Sequence, residues 1–240
     1  MQYDAERLIK ALLGTEQALD RKAAETRAEQ QRRASYVVTI SRGYGSLGGD
    51  VALALASRLG VCHCDREILE AVASRAAVDL GLVAKLDEAV QRSGLKPWKR
   101  LFTEGSISEQ RFHDHLVSVI LNLASKGGVI LGRGAHLVLG PERAFRVRII
   151  GSIDNCAKRI AEREQVDLET ARRRVGQVDR QRDEYLRERF GVGSGDENVH
   201  DLVINSDRYN RAQMVELILY AMRLAGYQIS DAMLKPGLQA

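Results

Sequence analysis

The sequence lacks any long apolar segment. No run of apolar residues approaches the roughly 18 to 20 that a membrane-spanning helix requires. The opening stretch MQYDAERLIK also lacks the hydrophobic centre of a signal peptide. Apolar residues make up 45% of the chain and charged residues 28%, the balance of an ordinary soluble protein. We therefore expect a cytoplasmic protein with no membrane partner.

Cysteine is scarce. Cys62, Cys64 and Cys156 are an odd number in a chain of 240 residues, which favours reduced thiols over a disulfide framework. The spacing of Cys62, His63 and Cys64 is like half of a metal site, but no second pair follows. Alternation along a strand would also point His63 away from both cysteines. We interpret this segment as part of a buried strand.

The sequence also lacks a long run of basic residues. The net charge is only +4, and the arginines of the second half of the chain alternate with carboxylates. A mild basic excess attracts phosphates of any kind, whereas a nucleic-acid interface concentrates basic and aromatic residues on one face. The composition therefore favours a nucleotide or another small phosphate-bearing ligand over nucleic acid.

What the sequence does contain is a regular alternation of short apolar runs and amphipathic segments. The predicted strands are residues 36–40, 61–64, 128–131, 145–151 and 201–205. The predicted helices are residues 48–59, 66–91, 107–126, 153–175 and 208–225. This alternation predicts a three-layer α/β domain, in which a five-stranded parallel sheet has helices on both faces. Ligands of such sheets bind at the carboxyl ends of the strands.

Three segments fall outside this alternation. Residues 1–34 are rich in Ala, Glu, Gln and Arg and contain no proline, which predicts a helical arm. The arm would pack either on the domain edge or on a second copy of the chain. In the second case the protein would be a homo-oligomer. Residues 65–127 and 176–200 are longer than a simple crossover requires. We expect loops in both intervals to overhang the ligand edge.

The segment TISRGYGSLGGDVALALASRLG, residues 39–60, predicts a strand, a glycine turn and a helix. Such a turn binds anions because the first amides of the helix are unpaired and glycine lets a phosphate approach the main chain. Gly43, Gly45 and Gly48 have the spacing of a dinucleotide-binding turn. Asp65 follows the second strand, where a ribose-binding carboxylate would stand.

The same glycines also fit a nucleoside triphosphate-binding P-loop. Gly43 and Gly48 would then be its two glycines, with Gly49 in the place of the lysine and Asp50 in the place of the Ser or Thr. A glycine turn can also do no more than begin a helix. The loop by itself leaves these alternatives open.

Arginines elsewhere favour phosphate chemistry. Arg133 stands between Gly132 and Gly134 after the third predicted strand, where a guanidinium can hold a phosphate with two hydrogen bonds. A second cluster comprises Arg172, Arg173, Arg174, Arg180, Arg182, Arg187 and Arg189. Phosphoryl transfer needs several cations around the transferred group, whereas a dinucleotide oxidoreductase has no use for this cluster.

Four motifs together resemble the cytidylate kinase-like family, a branch of the P-loop nucleoside monophosphate kinases. They are TISRGYGSLGGDVALALASRLGVCHCDREIL, VILGRGAHLVL, VDRQRDEYLRERFG and DLVINSDRYN. The resemblance runs from about residue 36 to residue 225. It implies a P-loop kinase-like domain over residues 35–228, an acceptor-binding insertion at 65–127, a lid at 176–200 and a tail at 229–240.

The resemblance also implies ATP and Mg²⁺ as cofactors and a set of site residues. The phosphate loop would bind ATP through Gly43, Gly45, Ser46, Gly48, Gly49 and Asp50, and Asp50 would hold the magnesium. Asp65 and Arg66 would begin the acceptor-binding segment, and Arg133 would contact the acceptor. Arg182 and Asp183 would be the Arg-Asp pair of the lid.

Three departures from the cytidylate kinase pattern argue against CMP as the acceptor. Gly49 replaces the catalytic lysine, Gly134 replaces an aspartate, and REIL follows Asp65. We expect Arg42 or a lid arginine to replace the lysine. The predicted function is ATP-dependent transfer of a phosphoryl group to a nucleoside monophosphate or another small acceptor. The alternatives are a catalytically silent nucleotide-binding regulator and a dinucleotide-binding oxidoreductase.

Overall fold

The computed structural model describes residues 36–65, 68 and 109–234. The predicted arm, the predicted helix at 66–91 except for residue 68, Arg66, and the last six residues of the tail lie outside the described residues. Helices are numbered below in the order in which they occur in the described part of the chain.

Five parallel strands form one sheet. They are β1 (Val37–Arg42), β2 (Cys62–Cys64), β3 (Gly128–Leu131), β4 (Phe145–Ile150) and β5 (Leu202–Asn205). Their order across the sheet is β2-β3-β1-β4-β5, and each neighbouring pair is parallel. The five predicted strands are therefore confirmed, but the expectation that Cys62–Cys64 is a buried strand is wrong, because β2 lies at the sheet edge and Cys62 is exposed. The order differs from the 3-2-1-4-5 arrangement of dinucleotide-binding sheets, which argues against the oxidoreductase alternative.

Helices cover both faces of this sheet. They are α1 (Gly48–Leu59), α2 (Glu109–Ala124), α3 (Ala135–Leu139), α4 (Ile153–Glu164), α5 (Leu168–Phe190), α6 (Arg211–Leu224) and α7 (Asp231–Leu234). A 3₁₀ turn at Glu197–Val199 precedes β5. None of the described helices is both long enough and apolar enough to span a bilayer.

Two expectations about residues 153–200 are wrong. The predicted helix at 153–175 is two helices, because Gln165 adopts a left-handed conformation with φ of 53°. Asp167 then caps α5 by accepting a hydrogen bond of 2.8 Å from the Thr170 amide. The predicted loop at 176–200 is largely helical, since α5 continues to Phe190.

The core lies on both faces of the sheet, as a three-layer architecture requires. Residues of β1, β4, α1 and α6 form the larger cluster, in which Ile40, Leu55 and Ile218 are completely buried. Residues of α2, α3 and β3 form the cluster on the opposite face. Burying each such side chain stabilises the fold by about 1.5 to 3 kcal/mol. β1 is buried on both faces, with Val38 in the first cluster and Val37 in the second, as expected for a central strand of a parallel sheet.

Candidate functional site

The loop of residues 43–47 joins β1 to α1 and is called the glycine loop here. Its Gly43 amide donates to the Ile149 carbonyl of β4 at 3.0 Å. The Ser46 hydroxyl has two carbonyl acceptors, Gly43 at 2.9 Å and Ile149 at 3.0 Å. Ser46 thus holds the loop against the carboxyl end of the sheet.

The glycine loop ends in a helix terminus that no side chain caps. Leu47, the N-cap of α1, has φ of 65° and makes no side-chain capping bond. The next three residues, Gly48, Gly49 and Asp50, form the first turn, whose amides have no intrahelical acceptor. Gly45 is also required, because a Cβ atom there would lie 2.6 Å from the Cys156 carbonyl oxygen. The loop is shaped to bring backbone amides to an anion.

Arg42 crosses this loop toward β3. Its side chain runs so close to Gly48 that a Cβ atom at Gly48 would clash with it. Its guanidinium lies against Gly132, where a Cβ atom would clash with Nη1. A Cβ atom at Gly49 would instead have Leu131 Cδ2 as its nearest neighbour, at 3.9 Å. Arg42 thus runs past Gly48 to Gly132, whereas a Cβ atom at Gly49 would have room.

Helix α5 docks on the glycine loop through an acidic and a basic residue. Asp179 Oδ1 accepts the Tyr44 amide hydrogen at 2.8 Å, and Arg182 Nη1 donates to the Arg42 carbonyl at 3.1 Å. The two side chains also form an ion pair, with 3.6 Å between Arg182 Nη1 and Asp179 Oδ1. Burial raises the pKa of Asp179, and the positive charges of Arg182, Arg148 and Arg42 oppose that rise. A second cation thus stands beside Arg42.

The ring of Tyr44 contacts two guanidinium groups. Arg163 is 5.3 Å and Arg182 is 5.7 Å from its centroid, which are cation–π distances. The Tyr44 hydroxyl donates to Glu164 at 2.5 Å. Burial, together with that carboxylate, raises the pKa of Tyr44. Tyr44 also belongs to a small apolar cluster of α4 and α5, so it joins the glycine loop to both helices.

Residues 132–134, the Gly-Arg-Gly turn, have three successive left-handed conformations, with φ of 72°, 58° and 71°. A left-handed arginine costs roughly 1 to 2 kcal/mol, and such strain is typical of functional positions. The cytidylate kinase pattern has an aspartate at the position of Gly134. An aspartate does not fit here, because a Cβ atom would lie 2.5 Å from the Phe190 ring at the end of α5. Burial lowers the pKa of Arg182, and the nearby charge of Arg133 lowers it further, so the turn is electrostatically coupled to α5.

A cavity of about 1200 Å³ opens beside the glycine loop. Of the predicted site residues, it is lined by Arg42, Gly43, Gly45, Ser46, Gly48, Gly49, Asp50, Asp65 and Arg182. Arg133 and Asp183 are not among its lining residues. Asp183 accepts hydrogen bonds from the Ser194 amide at 2.6 Å and from Arg187 Nε at 2.7 Å. It therefore fixes the turn after α5, and Arg66 lies outside the described residues.

Two carboxylates of the cavity could serve a hard cation. Asp50 is exposed in the first turn of α1, and Asp65 follows β2. Magnesium prefers such oxygen ligands and is often held by one or two carboxylates together with phosphate oxygens. Within the described residues, no group of three or more His, Cys, Asp or Glu residues is arranged to hold a metal by itself. The arrangement fits a magnesium ion that arrives with a nucleotide.

Three residues of the site, Asp179, Tyr44 and Arg159, were not predicted from the sequence. Arg159 Nη1 donates to the Gly45 carbonyl at 3.1 Å and to the Ser206 hydroxyl at 3.1 Å. It thereby links the glycine loop to the loop after β5. A signal was present only for Asp179, which precedes Arg182 by one helical turn on the same face. Arg159 and Tyr44 act through contacts between distant segments, which no local pattern reveals.

The fold and the site define a class: a parallel α/β protein in which a glycine-rich loop, flanked by arginines, joins the first strand to a helix. The model of the cytidylate kinase-like family matches residues 37–208. The chain therefore belongs to the cytidylate kinase-like family.

Individual relatives are more distant. A cytidylate kinase of Methanopyrus kandleri is 27% identical over 190 residues, which cover 78% of this chain and 93% of that enzyme. A uronate isomerase of Corynebacterium glutamicum is 30% identical over 101 residues, but these cover only 20% of that enzyme and 42% of this chain. A solved structure of an uncharacterized protein from Eubacterium ventriosum has a TM-score of 0.58 and 22% identity, and covers 78% of this chain and 98% of its own. That likeness concerns the fold alone.

Proposed function

We propose that the protein is an ATP-dependent phosphotransferase that moves the γ-phosphoryl group to a nucleoside monophosphate or another small acceptor. Membership of the cytidylate kinase-like family supports a nucleotide kinase-like function. The observation that carries the finer proposal is the path of Arg42. It runs past Gly48, next to the position that Gly49 occupies, and supplies a cation at the end of β3.

In this proposal the chain acts mainly by positioning and by neutralising charge, which is what phosphoryl transfer requires. Amides of residues 45–50, at the end of the glycine loop and in the first turn of α1, hold the β-phosphate. Arg42 and Arg182 neutralise the oxygens of the transferred group, and Arg133 holds the acceptor. Asp50 holds magnesium, which when bound would screen the charge of the outer phosphates.

The segments around the site have roles in the same proposal. Residues 65–127 form the acceptor-binding insertion, and residues 176–200 form the lid. The contacts of Asp179 and Arg182 with the glycine loop support a lid that touches the phosphate site directly. The departures at Gly49 and Gly134 leave the identity of the acceptor to experiment.

The decisive experiment combines transfer and binding. The full chain is incubated with γ-labelled ATP, magnesium and each nucleoside monophosphate in turn, and ATP binding is measured by calorimetry. We expect transfer to at least one acceptor. Arg42→Gln should lower kcat by roughly a hundredfold or more, as losses of single transition-state donors do. The matched control is Arg172→Gln, because Arg172 pairs with the exposed Asp154 away from the cavity.

Two results would contradict the proposal. ATP binding without transfer to any acceptor would leave a nucleotide-binding regulator, in which the missing lysine is not replaced. An Arg42→Gln variant as active as the wild type would show that another group neutralises the phosphates. If the Arg42→Gln variant is fully active, Arg182→Gln tests whether Arg182 neutralises the phosphate oxygens instead.

A further inference from the structure

Two of the three thiols meet on the edge strand β2. Cys62 and Cys64 are two residues apart, so their side chains lie on one face of the strand. The distance between the two Sγ atoms is 2.9 Å. Both cysteines are reduced thiols in the structure, with Cys62 exposed and Cys64 buried. The sulfur atoms are therefore close enough to react with each other.

A glycine on the neighbouring strand provides the space for this contact. Gly128 of β3 is the register partner of Cys62. A Cβ atom at Gly128 would lie 2.7 Å from the Cys62 sulfur and 3.5 Å from the Cys64 sulfur. Any other residue at this position would displace the Cys62 sulfur from its present position. The Cys62 sulfur also lies 3.4 Å from the Gly127 carbonyl oxygen.

We propose that Cys62 and Cys64 form a reversible dithiol–disulfide site, oxidised by exchange with a small disulfide such as glutathione disulfide. The exposed Cys62 thiolate attacks one sulfur of the small disulfide and releases one small thiol. The Cys64 thiolate then attacks the Cys62 sulfur of the mixed disulfide and releases the second small thiol. The protein loses two electrons and two protons, and the small disulfide is reduced to two thiols.

The strand geometry makes this bond easy to reduce again. Residues two apart on a strand are separated by about 6.6 Å between Cα atoms. That separation is close to the upper end of the range that a disulfide spans, about 6.8 Å, and a disulfide also needs its Cβ atoms about 3.5 to 4.5 Å apart, so β2 must bend locally to close the bond. A strained disulfide is more oxidising and is the kind that serves as a labile site. Asp65 follows Cys64 and lines the ligand cavity, so the bond would form one residue away from that cavity.

A metal site is the competing use of two neighbouring thiols. A structural zinc site has four protein ligands, most often cysteine and histidine. Among the residues that the structure describes, no third His, Cys, Asp or Glu residue completes such a group with Cys62 and Cys64. The pair therefore has the composition of a redox site.

The test uses the full chain and mass spectrometry. The reduced protein is incubated with glutathione disulfide, alkylated and digested with trypsin, which releases both cysteines in the peptide of residues 59–66. We expect that peptide to lose about 2 Da and to resist alkylation. Reduced glutathione should restore both thiols. Cys156 is the internal control, because it lies in a separate tryptic peptide and its buried thiol should not react.

Two variants separate the steps. Cys64→Ser lacks the resolving thiol, so it should retain a glutathione adduct of about 305 Da on Cys62. Cys62→Ser should remain unmodified, because Cys64 is only 2% exposed. A stable adduct on the wild-type chain, an unreactive Cys62, or a bond that reduced glutathione does not open would overturn the proposal. Stoichiometric binding of zinc that both variants lose would also overturn it. The wild-type results decide the matter even if a variant does not fold.

Discussion

The position of the Arg42 guanidinium depends on Gly132, a glycine that is distant from it in sequence. We expect Gly132→Ala to displace the Arg42 guanidinium and to lower the transfer rate at least tenfold, while ATP binding persists through the loop amides. The matched control is Gly60→Ala. Gly60 has φ of 66°, close to the 72° of Gly132, but a Cβ atom there would meet no atom within 4 Å. Both variants should lose roughly 1 kcal/mol of stability from backbone strain. Equal activities of the two variants would contradict the role of Gly132.

A buried histidine pair makes stability depend on pH. His136 and His200 stack with 4.8 Å between ring centroids, and His136 Nδ1 lies 3.1 Å from the Ser41 hydroxyl. Burial lowers the pKa of His136 to about 3 and that of His200 to about 4, and the charges of Arg146 and Arg148 add to both effects. The folded state therefore binds these protons less readily than the unfolded state.

This pKa difference has a defined sign. The stability contribution is complete above pH 6.5, the ordinary pKa of a histidine in the unfolded chain, and is lost as the pH falls toward 4. At pH 4.5 the free energy of unfolding should be lower than above pH 6.5 by about 2 to 3 kcal/mol for each histidine. We expect urea unfolding to show this decline and His200→Asn to reduce it. A decline of the same size in that variant would mean that other groups are responsible.

At the scale of elements, β4 and β5 are joined by more than their backbone ladder. Asp201 accepts hydrogen bonds from the Arg146 amide at 2.8 Å, from Nε at 3.2 Å and from Nη2 at 2.6 Å. Asp201→Ala leaves the buried guanidinium without its carboxylate, so the free energy of unfolding should fall by about 3 kcal/mol. The control is Asp231→Ala, whose partner Arg223 is exposed and also 2.6 Å away. It should change stability by less than about 1 kcal/mol. Equal losses measured by urea unfolding would contradict the prediction.

The elements themselves were predictable to different degrees. The strands follow from short apolar runs and α1 from an amphipathic segment after the glycine loop, and their predicted positions agree with the structure. The break between α4 and α5 was missed, because Gln165 and Asp167 lie inside a stretch with helical periodicity throughout. The length of α5 was missed for a related reason. Its C-terminal half is highly charged, and its burial against the glycine loop is a tertiary contact.

For the whole molecule, ligand binding should report which class of nucleotide the site accepts. At a concentration of about 100 times Kd, a ligand of the folded state stabilises it by about 2.7 kcal/mol. We expect ATP with magnesium to raise the free energy of unfolding by this amount and NAD to leave it unchanged. GTP and CTP test the preference for the base. Stabilisation by NAD alone would contradict a phosphotransferase and restore the dinucleotide alternative.

The sequence by itself determined the five strands, the glycine loop and the family to which its motifs belong, because these depend on residues close together in the chain. Only the tertiary structure decided where Arg42 points and how α5 contacts the loop. Arg42 meets Gly132, and Tyr44 meets Asp179, across roughly 90 to 135 positions of the chain. The physical reason is that a parallel sheet brings the ends of non-consecutive strands to one edge. Side chains that are unrelated in sequence become neighbours there.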